Sequence, residues 1–238
     1  MMKRIRLPLS IAFTLWAALA LASEPFGIRA FGDFKRMTGT GDTAGVIKLR
    51  ELPAALDAFG MGALAGLRGE VLLWEGKPLV TRGHSEKGSV EPASPADEAV
   101  MFVVAQVEAW DQIVVPNDMT QAQFEAFVLR TAASRGLDAE HAFPFVVKGD
   151  LPRVQWHVVM GSAPKHGDPK GHASIRAFDQ AGVTAILLGF HSGAALEGVI
   201  SHPGERFHVH YASRDLSVSG HVDEYRVAKG ALLRLPRK

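Results

Sequence analysis

Glu205-Arg-Phe-His-Val-His-Tyr-Ala-Ser-Arg-Asp-Leu-Ser-Val-Ser-Gly-His221 is the stretch whose reading decides the fold. Side chains alternate between faces along a strand, so residues two apart project the same way. His208 and His210 then stand side by side on one face, with Val209 on the other. Residues 213–219, followed by Gly220, read as a turn that returns a neighbouring strand and brings His221 opposite the pair. Three neutral imidazoles with a fourth position open are a common catalytic zinc arrangement. The plainer alternative is a surface strand that happens to carry two histidines, because His-x-His alone is a weak motif.

From Phe143 onward the pattern is nearly all short strands, expected at 143–148, 153–160, 183–190, 198–202, 206–211, 221–227 and 231–235. Frequent Gly and Pro separate them, which favours antiparallel sheet in the second half. In the first half, Leu49, Leu52, Leu56 and Phe59 fall at helical spacing and predict a short helix over 45–60. The glycines at 60, 62, 66 and 69 suit close backbone approach. Residues 70–81 read as a hairpin turning at Glu75-Gly76, and 100–107 as a buried strand. Thr120-Gln-Ala-Gln123 has the form of a capping box. It opens a helix with an inner stripe of Phe124, Phe127, Val128 and Thr131, ending near Gly136. The fold class is α+β, with mixed or antiparallel sheets and a few helices. Its N-terminal part spans about 23–140 and its β-rich, metal-binding part about 141–238.

The chain opens on Met-Met-Lys-Arg-Ile-Arg, continues through an apolar run over 7–21, and carries Ala20-Leu21-Ala22. This is the pattern of a secretory signal peptide over 1–22, too short in its apolar core for a membrane span. A periplasmic or secreted protein is expected, with no membrane association after cleavage. Removing those residues takes Lys3, Arg4 and Arg6 but no acid, so the net charge moves from +1 to −2. A nearly neutral chain has no electrostatic footprint for nucleic acid. There is no cysteine, so thiolate metal sites are excluded and His, Asp and Glu are the ligands at hand.

Two blocks together resemble bacterial α-acetolactate decarboxylase. Gly60-Met-Gly-Ala-Leu-Ala-Gly-Leu-Arg-Gly-Glu-Val-Leu-Leu-Trp-Glu-Gly76 is similar to that family's "GxGT…DGE…LDG" segment, with Gly69-Glu70 in place of its Gly-Glu. Gly189-Phe190…Pro203-Gly-Glu-Arg-Phe-His-Val-His-Tyr211…Asp215…Gly220-His-Val222 is similar to its "GF…PG-x-H-x-HF…D…GGH" segment. The resemblance implies a two-part α/β fold, often dimeric. It also implies zinc held by His208, His210 and His221, with Glu70 as the acid–base group. Two departures stand out. The family's Arg-Thr/Ser-Val-Pro turn falls on Gly161-Ser-Ala-Pro164, which puts glycine where the family has an arginine. The family also supplies a carboxylate from a C-terminal tail, whereas this sequence stops 17 residues after His221.

The implied substrate is 2-acetolactate or a related branched 2-hydroxy-3-keto acid, which offers a hydroxyl, a ketone and a carboxylate. A metal acting as Lewis acid would stabilise the enediolate left when CO2 departs, and a nearby carboxyl group would deliver the proton that gives acetoin. Lys165 or Arg153 would have to supply the missing cation. Copper or another divalent metal is also compatible with three histidines.

Each candidate has a plainer reading. Glu70 beside Arg68 could be a surface ion pair. Asp215 and Glu224 are most simply turn and solvent-face residues, although either could orient a ligand histidine by hydrogen bonding. His157 alternates with apolar neighbours, and a core histidine bonded to backbone is favoured over a group entering the cavity. His166 and His172 flank a flexible loop and are read as solvated. His191 and His202 are near the site in sequence only. Trp110 and Trp156 are read as core or pocket wall. Three functions therefore stand: an exported zinc decarboxylase, a divergent metal- or ligand-binding relative without that activity, and a metal-free binding domain.

Overall fold

The computed structural model describes residues 25–161 and 174–238. The expected signal peptide, Lys165, His166 and His172 lie outside the described residues. All strand pairings among the described residues are antiparallel, and they divide the chain into two seven-stranded sheets.

The first sheet contains β1 (Arg29–Phe31), β2 (Ile47–Lys48), β3 (Ala58–Leu64), β4 (Gly69–Trp74), β5 (Lys77–Arg82), β6 (Val90–Pro92) and β7 (Glu98–Gln106). Its order is β1-β7-β3-β4-β5-β6, with β2 sharing the β7 edge, and helix α1 (Phe34–Thr40) follows β1. The β4–β5 hairpin turns at Glu75-Gly76 as expected. Both residues have positive φ (50° and 74°), the tight turn whose twist matches the flanking strands.

β3, β4 and residues 99–105 of β7 are buried without interruption because both faces of this sheet are covered. Phe59, Met61, Leu72, Val103 and Ala105 face the second sheet. Ala58, Val71, Leu73, Phe102 and Val104 face the other way, under Leu49 and Leu52. That cover replaces the helix expected over 45–60. Leu49–Glu51 is a single 3-10 turn, Leu56 is exposed, and Phe59 already belongs to β3. Leu49 and Leu52 meet the spacing of a helix only because one such turn lays both on the sheet.

The second sheet contains β8 (Trp110–Val114), β9 (Met119–Thr120), β10 (Phe143–Val159), β11 (Ile175–His191), β12 (Phe207–Ser213), β13 (Ser219–Val227) and β14 (Leu232–Pro236). The order is β8-β14-β10-β11-β12-β13-β9, and β10 also pairs with β13, so strands β10 to β13 close on themselves. Two strands expected at 143–148 and 153–160 are one continuous strand of 17 residues, because Gly149 and Pro152 are accommodated without ending the pairing with β11. The strand expected at 198–202 is instead a run of turns, with Gly198 at φ 75° and Gly204 at φ 87°. The sheets divide the chain between Gln106 and Trp110, upstream of residue 140.

Helix α2 (Gln121–Ser134) begins at the capping box: the Thr120 side chain accepts from Gln123 N–H, and the Gln123 side chain accepts from Thr120 N–H. Phe124, Val128 and Ala132 are fully buried against the second sheet, beside Phe145, Trp156 and Tyr225. Burying one such phenylalanine contributes about 1.5–3 kcal/mol. Val146, Ile186, Leu188, Phe190 and Ala212 form a core with the inner face of the first sheet. This shared core sets the position of β4 against the edge of β10, where the candidate site lies. Among the described residues no helix is long and apolar enough to cross a membrane.

Candidate metal centre

The hairpin expected from the 205–221 stretch forms between β12 and β13. His210 stands directly opposite His221, and His208 is two residues along β12 on the same face. Each of the three histidines offers a ring nitrogen, and these atoms lie within 4.8 Å of one another. His208 and His210 are buried, while His221 keeps some of its surface open.

Hydrogen bonding fixes which atoms are free. His208 Nδ1 lies 2.8 Å from the Ile200 carbonyl, so Nδ1 carries the proton and Nε2 presents a lone pair. That Nε2 is 3.1 Å from His221 Nδ1. Two imidazole nitrogens bound to one tetrahedral zinc stand about 3.3 Å apart by the usual bond lengths. Both ring nitrogens of His210 are buried with no hydrogen-bond partner among the described residues. An unsatisfied pair of buried nitrogens is costly unless another group takes it up. The residues present therefore fit a divalent metal.

The same burial keeps the cluster neutral. It pushes the His208 pKa down to about 3, reinforced by the positive charge of His202 and opposed by the Ile200 contact. Burial holds His210 and His221 well below the ordinary histidine value, with neighbouring histidines adding to the effect. Neutral imidazole is the metal-binding form. Groups with lowered folded pKa stabilise the fold above the unfolded value, near 6.5, and lose that contribution as pH falls through the folded value. Metal-free protein should accordingly melt at progressively lower temperature as pH drops from 6.5 towards 5, read by thermal unfolding in chelator. A flat profile over that window would contradict this electrostatic picture.

Glu70 enters from β4 on the first sheet and is buried, so the ion pair with exposed Arg68 is not formed. Its Oε1 accepts from Val159 N–H at 3.3 Å, and its Oε2 is 3.7 Å from His210 Nε2. Burial pushes its pKa up to about 7, against the opposing effects of His157 and the Val159 bond. The sign for stability is opposite to that of the histidines. Glu70 contributes fully below 4.5 and loses that contribution as pH rises through 7, so it offsets only part of the acid loss from three imidazoles.

His157 departs from the expected core role. It pairs directly with His221 across β10 and β13, and its ring lies 4.9 Å from the His221 ring. Its Nδ1 bonds Asp223 Oδ1 at 2.7 Å. Burial opposes charge on this ring, but the Asp223 hydrogen bond and the charges of Glu70 and Asp223 outweigh it and raise its pKa. His157, His221 and His210 thus form a row across three strands.

Asp223 was legible in the spacing His221-x-Asp223, since period two puts both on one face. A β-bulge between Gln155 and Trp156 then sets Glu224 opposite Gln155, where it is exposed. The carboxylate beside a site histidine is that of Asp223, not that of Glu224 or Asp215. Asp215 instead ties the exposed turn, accepting from Ser213 Oγ and Ser217 Oγ, each at 2.7 Å. Those bonds bring its pKa down to about 2.

Arg153 donates two hydrogen bonds to Asp179 at 3.0 and 2.7 Å on the exposed β10–β11 hairpin. Gly161 has φ 96°, a conformation that L side chains rarely adopt. His202 packs against Phe34 in a tilted pair with ring centres 4.2 Å apart and stands 6.0 Å from the His221 ring. His191 bonds the Ala139 carbonyl and packs on Phe143 and Phe207. Trp156 is core, stacked between Phe178 and Tyr211, and Trp110 packs on the edge of Phe59.

The family model for alpha-acetolactate decarboxylase matches residues 38–234. The chain belongs to that family. Among solved structures, alpha-acetolactate decarboxylase from Bacillus subtilis strain 168 superposes with a TM-score of 0.71 at 19% identity, covering 89% of this chain and 86% of that one. A Staphylococcus aureus protein described as of unknown function and similar to alpha-acetolactate decarboxylase gives 0.71 at 15% identity, covering 89% and 85%. Comparison with curated proteins returned no match. At these identities the likeness establishes the acetolactate decarboxylase fold. In this chain the three-histidine cluster and Glu70 come together from different sheets, and His157 occupies the adjacent strand position.

Proposed function

We propose that the protein is a zinc-dependent decarboxylase that converts 2-acetolactate, or a related branched 2-hydroxy-3-keto acid, to acetoin and CO2. The observation that carries this reading is the neutral His208–His210–His221 cluster, buried but for part of His221, with an acid of raised pKa 3.7 Å from the His210 ring. Membership of the decarboxylase family supports it.

Zinc bound by the three histidines would supply Lewis acidity, stabilising the negative charge that departing CO2 leaves on the substrate oxygens. The Ile200 carbonyl holds His208 so that its Nε2 would face the ion, and among the described residues the ring nitrogens of His210 have no hydrogen-bond partner. Glu70 is placed to give its proton to the substrate carbon once CO2 has left. A carboxyl group with a pKa near 7 is substantially protonated at neutral pH and regains its proton readily from water. Val159 N–H fixes one oxygen and leaves Oε2 towards the cluster. The phenyl ring of Phe34 packs edge-on against His208 at 5.4 Å and keeps water from that side.

The signal-peptide pattern of residues 1–22 supports a periplasmic or secreted location for this activity, and a homodimer is part of the same reading. Removing the metal with a strong chelator should abolish acetoin formation, and adding back one equivalent of zinc should restore it. Full turnover after verified metal removal would rule the mechanism out.

A further inference from the structure

The row of imidazoles across β10, β13 and β12 holds one member more than a three-ligand cage requires. His210 and His221 belong to the cage, whereas His157 is not among the three residues whose ligand atoms converge within 4.8 Å. Its ring is nevertheless locked in direction: Asp223 takes Nδ1 at 2.7 Å, and the register with His221 puts both rings on one face. Among the described residues its Nε2 has no hydrogen-bond partner. The side chain retains 14% exposure where that of His210 has none, so it borders the approach from solvent to the cluster.

A 2-hydroxy-3-keto acid that presents its hydroxyl and ketone oxygens to a metal still carries a carboxylate that needs a donor. Arg153 is committed to Asp179, and residue 161 is a glycine. Among the described residues, His157 and His202 are the basic side chains beside the cage; the His202 ring is packed against Phe34 at 4.2 Å, whereas His157 is aimed by Asp223 and has no hydrogen-bond partner at Nε2. We propose that His157, oriented by Asp223, is the residue that binds the substrate carboxylate through Nε2–H and so replaces the arginine expected from the family resemblance. This rests on the acetolactate reading above. It makes carboxylate recognition in this chain depend on a strand residue backed by an acid on the neighbouring strand. A charge-assisted hydrogen bond of this kind is oriented as well as attractive.

The test uses zinc-loaded protein and two unreactive probes: the dihydroxy acid made by reducing the substrate ketone, and the same diol lacking the carboxylate. Calorimetry should show wild type preferring the acid. His157→Gln should weaken the acid by about 10–100-fold, the worth of one hydrogen bond to a charged group. The same variant should leave diol binding unchanged and retain one zinc per chain. His157→Arg should recover part of the loss. If His157→Gln does not fold, Asp223→Asn, changed at a partly exposed carboxylate, should weaken the acid in the same selective way. Unchanged acid affinity in a folded variant would overturn the proposal, as would loss of zinc, which would make His157 a metal ligand. If zinc-loaded wild type binds neither probe, the acetolactate reading itself fails. Wild-type preference for the acid that survives His157→Gln sinks this inference alone.

Discussion

His210→Ala should leave a folded protein that no longer retains zinc through dialysis and makes acetoin at least about 10³-fold more slowly than wild type, the scale of a lost metal Lewis acid. His210 is the member of the cluster with both ring nitrogens buried and unbonded among the described residues, so its removal takes no hydrogen bond from the described hairpin. Its removal therefore separates metal binding from folding more cleanly than removal of His208, which also ties the 192–206 segment through Ile200. Metal content by atomic emission and acetoin by colorimetry read the two effects separately. Full zinc occupancy in the variant would show that the ion is held elsewhere.

Glu70→Gln should keep the zinc and lose the chemistry. The amide still offers an oxygen to Val159 N–H, so β4 stays docked on β10, but no proton can be given to the substrate carbon. General acid–base groups contribute about 10²–10⁴-fold, and a fall in kcat within that range is expected at unchanged metal content. Above pH 7 the variant should melt at the same or a higher temperature, because a neutral amide replaces a carboxylate that burial disfavours. A variant with wild-type kcat would remove Glu70 from the reaction.

Much of this site was legible locally. The spacing of His208, His210 and His221 encodes a hairpin, and alternation alone faces the three rings together. The β4–β5 turn and the α2 cap were legible for the same reason: each depends on residues three or fewer apart. What escaped depends on packing between distant segments. Leu49 and Leu52 look helical, yet their apolar partners lie on the outer face of the first sheet. The 198–202 segment has the apolar content of a strand, but its carbonyl at Ile200 is spent on the His208 ring. His157 looked like core because its neighbours Trp156 and Val158 are core. The alternation that buries those two turns His157 to the cluster face, and only the pairing with His221 reveals what lies there. Asp223 shares the His221 face by alternation, but its role shows only in the bond to His157, 66 residues earlier in the chain and on another strand.

The most direct measurement is acetoin formation from racemic 2-acetolactate by the zinc-loaded protein, set against spontaneous decay and the His210→Ala variant. Turnover well above decay in wild type, absent from the variant, is the expected result. A protein that holds its zinc in the three-histidine cluster and releases no acetoin above decay would contradict the assignment of this centre to acetolactate decarboxylation.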